Sequence, residues 1–189
     1  MPSLADTQTV RGLSTVPGSS RPGASVAPSL GSDIGLLLLR LGLGVIMIAH
    51  GSQKLFGWFG GGGLDGTGQF FAMSGYPAGK GMAVIAGLSE TLGGLGLILG
   101  FLTPLAAAAV IGTMINAAAV KWDGGFFAPG GLEYELFLAV AGAAVALIGA
   151  GGYAADRFLP VLRSHRLVHG AGAVALGVVT ALIVLLIRG

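Results

Sequence analysis

Six polar residues stand within or beside long apolar runs, and their types suit proton transfer and hydrogen bonding: Arg40, His50, Lys54, Glu90, Asn116 and Glu133. A charge at bilayer depth costs at least a few kcal/mol and normally faces a bundle interior or a water-filled cavity. Histidine exchanges a proton near neutral pH, a carboxylate can relay one, and a buried Arg or Lys supplies counter-charge. From Arg40, the residues Gly44, Met47, Gly51 and Lys54 follow at i+4, i+7, i+11 and i+14 and share one helical face. His50 lies about 80° to one side at ~100° per residue. At ~1.5 Å of rise per residue, Glu90 falls between Arg40 and His50 in depth, so either could be its partner, while Asn116 and Glu133 fall towards the outer half. Two readings follow: a functional polar cluster, or a buried ion-pair network that fixes helix register.

Other chemistries find less support. The i, i+4 pair His165 and His169 has metal-ligand spacing without a third ligand nearby, and juxtamembrane basic residues more often signal topology or touch lipid headgroups. Only His50 is clearly intramembrane, which argues against a haem held by two histidines. The Gly60–Gly63 run lacks the Gly-Lys-Ser/Thr ending of a phosphate loop. Met47, Met73, Met82 and Met114 show no Met-x-x-Met spacing and read as packing. No metal site is expected. Cysteine is absent, so electron chemistry would need a bound cofactor or a partner protein.

The elements that position these residues are set by composition. The chain has 189 residues, 53% hydrophobic and 10% charged, with 36 glycines and a mean hydropathy of +0.85. A soluble domain needs roughly a quarter of its residues charged, and the glycines carry no collagen period. An integral membrane protein remains. A net charge of +2 without a clustered basic patch argues against nucleic acid as a partner.

Residues 1–32, rich in Pro, Ser, Gly and Thr, read as a disordered cytoplasmic tail. Apolar spans are expected at 34–59, 82–101, 105–120, 133–149 and 169–187, with a short interfacial helix over 66–73 and a basic cytoplasmic loop over 157–168. Residues 169–189 form the additional helix beyond a four-helix domain at 33–156. The fold class is therefore an all-α membrane protein: a four-helix transmembrane bundle plus a fifth C-terminal transmembrane helix. Arg11, Arg21, Arg157, Arg163 and Arg166 fall on one side, against Lys54, Lys80, Lys121 and Arg188 on the other, which puts the N-terminus in the cytoplasm and the C-terminus outside.

Several motifs then fall into an ordered series. Arg40-Leu41, His50-Gly51 and Lys54-Leu55-Phe56-Gly57 are followed by Glu90 with Gly93-Gly94, Gly100-x-x-Thr103, Asn116-Ala117, Gly131-x-Glu133-Tyr134 and Gly149-x-Gly151-x-Tyr153-x-x-Asp156. This series resembles the DoxX family of small bacterial membrane proteins over about 34–156; an Ala stands where the family's closing motif would have Ser. The resemblance implies a four-helix membrane bundle in the bacterial plasma membrane and an association with redox and thiol stress, including a subunit of a thiosulfate:quinone oxidoreductase. The first functional expectation is a redox-associated membrane subunit that works with soluble enzymes at the cytoplasmic face. In it, quinone is the cofactor, His50 the hydrogen-bond donor, Glu90 the proton relay and Arg40 the counter-charge. The alternatives are a non-enzymatic scaffold that holds soluble partners at the cytoplasmic face by the 156–166 loop and the N-terminal tail, and a small-solute or proton pathway. Glycine-rich helix faces would also permit a homo-oligomer.

Overall fold

The computed structural model describes residues 30–127, 129–162 and 166–189. Most of the expected tail, with Arg11 and Arg21, and also Arg163 and His165, lies outside the described residues. Among the described residues six α-helices follow in order: α1 Leu30–Phe56, α2 Gly63–Met73, α3 Gly79–Leu99, α4 Thr103–Val120, α5 Glu133–Ile148 and α6 Leu167–Leu186. There is no strand among the described residues. α1, α3, α4 and α6 are long and apolar enough to cross a membrane. α5 has 16 residues, about 24 Å of helix, and packs beside α4 and α6. Exposed Val45, Leu88, Leu92, Val140, Leu182 and Ile183 cover the outside of the bundle, an arrangement that lipid, not water, would solvate.

α1 and α3 run antiparallel and form the most extensive helix pair. Their register is set by small residues one heptad apart, Gly44 against Gly94 and Gly51 against Gly87. A Cβ on Gly44 would lie 2.6 Å from the Gly94 carbonyl oxygen and 2.7 Å from Ile98 Cγ1. Backbone cannot move aside as a flexible side chain can. Gly44→Ala is therefore expected to lose about 1–3 kcal/mol by overpacking despite the better helix propensity of alanine. Gly42→Ala, with nothing within 4 Å of the added atom, should be neutral or stabilising by up to ~1 kcal/mol. Thermal unfolding in detergent compares the two.

One core joins Leu43, Met47, Leu97, Val110, Met114, Leu138 and Val145 across α1, α3, α4 and α5. A second, made of Ala107, Ala108, Ala146 and Ala173, brings α6 close to α4 and α5. The fifth C-terminal span of the sequence is thus an integral layer of the bundle.

At the end of the bundle that holds the N-terminus of α1, a compact junction replaces a loose loop. Arg40 is fully buried and donates to the carbonyl oxygens of Ala150 and Tyr153, each at 2.6 Å. Asp156 is 4% exposed, and its carboxylate accepts the Leu102 and Thr103 N–H groups at 2.6 and 3.0 Å. That supplies from a distant segment the cap that the N-terminus of α4 lacks locally. Gly100 ends α3 at φ +62°, where a Cβ would sit 2.8 Å from Ala154 Cα. Of the segment expected to dock soluble partners, Asp156 faces inward, and Arg157 and Arg166 are exposed.

Candidate functional site

A cavity of about 460 Å³ lies over the small-residue face of α4, between α3 and α6, under α2 and against the ends of α1 and α5. Ala108, Ala109, Gly112, Thr113 and Ala117 on α4 leave the space open. Phe70 and Phe71 of α2 provide an aromatic wall, and exposed Ile85 and Thr180 mark opposite edges on α3 and α6. The lining combines this apolar surface with an unusual concentration of polar groups for a chain that is 10% charged.

Four of the six residues singled out in the sequence, His50, Lys54, Glu90 and Asn116, line this cavity together. Glu90 is 2% exposed and pairs with Lys54, Nζ to Oε2 2.7 Å. Neither Arg40 nor His50 fills that role. The α1/α3 register decides the matter, because it sets Lys54 opposite Glu90 while Arg40 lies fourteen residues from Lys54, about 21 Å along the helix. His50 Nε2 is 3.2 Å from the Tyr134 hydroxyl. Asn116 Nδ2 donates to Gly112 O and Ala181 O at 3.0 and 3.4 Å, and its Oδ1 accepts the Tyr76 hydroxyl at 3.1 Å.

Arg40 belongs to the junction at the opposite end, and Glu133 opens α5 outside the cavity lining. The α5 carboxylate that does line the cavity is Glu135, two residues on. It is 6% exposed and pairs with Lys121, Nζ to Oε1 2.7 Å. Helical phase carried the signal for it: Glu135, Leu138, Gly142 and Val145 share the buried face at i, i+3, i+7 and i+10. Both Lys54 and Lys121, counted above as loop charges, are engaged with buried carboxylates.

Tyr76 is a further addition, from the turn between α2 and α3. Burial pushes its phenol above the ordinary tyrosine value, opposed by the nearby Arg188 charge and hydrogen bond. At neutral pH it keeps its proton and donates to Asn116. Such a loop residue carries no periodic signal in sequence.

The site thus presents two buried carboxylates each paired with a lysine, two hydrogen-bonded ring or amide pairs and an aromatic wall around a space in the ~300–1,000 Å³ range of small-molecule pockets. Ammonium, imidazole and phenol groups can donate to a carbonyl or oxyanion, and two carboxylates can exchange protons. Among the described residues, no group of three or more His, Cys, Asp or Glu could hold a metal ion.

The family model described as DoxX matches residues 35–122. "Putative oxidoreductase CatD" of Bacillus subtilis (strain 168) is similar to this chain, 32% identical over 128 residues, which are 67% of this chain and 88% of that protein. No solved structure matches. The family match spans His50, Lys54, Glu90, Asn116 and Lys121 and stops before Tyr134, Glu135 and α6.

Proposed function

This chain belongs to the DoxX family of multi-pass membrane proteins, and from that premise we propose that it is a quinone-binding subunit of a redox complex in the bacterial plasma membrane, working with a redox partner protein. The observation that carries the reading is the cavity, where part-buried donors and two buried carboxylates meet an aromatic wall inside an apolar bundle. The word oxidoreductase in the name of the similar protein supports the same direction.

The residues fit such a ligand. Phe70 and Phe71 can flank a flat ring, and His50, held by Tyr134, together with Lys54, held by Glu90, can donate to its carbonyl oxygens. A bound quinone supplies a two-electron, two-proton acceptor, the electrons coming from a reduced cofactor of the partner. Protons reach the cavity through Glu90 and Glu135, each kept at hand by a lysine. Lys54 takes the counter-charge role that the sequence suggested for Arg40.

Lipid extraction of the protein purified from its own membranes tests this. The wild type should carry a quinone, and the double variant His50→Ala/Tyr134→Phe should lower its affinity by about tenfold or more, the order expected from loss of one or two ligand hydrogen bonds. A wild-type extract without quinone would sink the reading. So would a variant that matches the wild type in both quinone content and quinone reduction by the native complex.

A further inference from the structure

The cavity has a wall that the family match does not reach. Thr180, Ala181 and Val184 of α6 line it at i, i+1 and i+4, one face of the helix, while the neighbouring Leu182 is 51% exposed and points away from it. α6 is held there at both levels. Gly177 packs on α4, where a Cβ would lie 2.8 Å from the Ala108 carbonyl oxygen, and Asn116 donates to Ala181 O at 3.4 Å. Beyond the helix, Arg188 Nε donates to Ser74 O at 2.8 Å and Nη1 to Ala119 O at 3.2 Å, with the guanidinium 5.5 Å from the centre of the Tyr76 ring. Tyr76 and Asn116 line the cavity themselves. One network therefore ties the C-terminal end of α6 to the α2–α3 turn and to α4.

We propose that α6 is the specificity wall of the ligand site and that Val184, half-buried on its lining face, sets the width open to a ligand ring. The chemical class is a planar quinoid headgroup, and selection acts between one ring and two fused rings. The position of the wall stands independently of what binds; the role of Val184 in selection rests on the quinone reading above.

The native chain has no cysteine, so single-cysteine variants report one position each. In membranes, Val184→Cys should react with a water-soluble methanethiosulfonate at least about tenfold faster than Leu182→Cys, because thiolate forms only where water and polar groups reach. Equal rates, or a slower Val184→Cys, overturn the wall. Tetramethyl-1,4-benzoquinone, which has no free ring position for thiol addition, should slow the labelling of Val184→Cys. A fast reaction that this quinone does not slow overturns the quinone reading and leaves the wall standing. In otherwise native protein, Val184→Phe should weaken 2,3-dimethyl-1,4-naphthoquinone about tenfold more than tetramethyl-1,4-benzoquinone, and Val184→Ala should reduce any discrimination between them. Equal effects on the two quinones in both variants overturn Val184 as the selecting residue.

Discussion

Lys54→Met is expected to be among the most damaging single substitutions in this protein, costing about 3–5 kcal/mol, the scale for breaking a buried pair by removal of one partner. Glu90 is 2% exposed on a helix long and apolar enough to cross a membrane, and the 2.7 Å contact with Lys54 is what compensates its charge. The double variant Lys54→Met/Glu90→Leu removes both charges and should recover most of the lost stability, since apolar groups of similar volume often replace a buried pair without cost. It should not recover ligand binding. Thermal unfolding in detergent separates the cases: equal melting of the single and double variants would show that the ion pair is not the cause. Lys121→Met should cost less, although Glu135 is also buried. The Lys121 side chain is 41% exposed against 21% for Lys54, so water can more readily reach the carboxylate it leaves.

Arg40→Ala is the second large effect. It removes a fully buried side chain and strips Ala150 O and Tyr153 O of their donors. Hydrogen bonds to a charged group are worth about 1.5–3 kcal/mol each, so the loss should be several kcal/mol and should loosen 149–156 first. Arg40→Lys should rescue only part, because an ammonium lacks the planar fork that serves two carbonyl oxygens from different nitrogens. Quinone affinity of the protein that remains folded should match the wild type, since Arg40 stands about 15 Å along α1 from His50. A selective loss of affinity with unchanged melting would instead return Arg40 to the ligand site. Proteolysis within 149–156 and quinone titration on the same samples give both readouts.

The helices were legible because a bilayer imposes a length and a composition on every segment that crosses it. The expected interfacial helix over 66–73 appears as Gly63–Met73, and the third span over 105–120 as Thr103–Val120. The polar residues were legible for the complementary reason: a chain this poor in charge places few ionisable groups inside an apolar run. His50, Lys54, Glu90 and Asn116 do share one cavity.

Partnership was another matter. Depth along the membrane normal can be counted from sequence, but contact also needs the rotation of each helix about its axis and its register against a neighbour. Glu133 and Glu135 differ by about 200° in helical phase at nearly equal depth, and only Glu135 faces the cavity. Arg40 and Lys54 lie on overlapping faces of α1, and the register marked by the Gly44–Gly94 and Gly51–Gly87 contacts brings Lys54, not Arg40, to Glu90.

By itself, then, the sequence determined that this is a helical membrane protein of the DoxX type, with only a handful of polar residues placed within or beside its apolar runs. The tertiary structure decided which of them meet, replacing Arg40 and Glu133 with Lys121, Tyr134, Glu135 and Tyr76, and making α6 part of the cavity. The physical reason is the range of the forces involved. Hydrophobic transfer acts on each segment separately, whereas ion pairs and hydrogen bonds act within a few ångströms and form only where close helix packing has fixed the register.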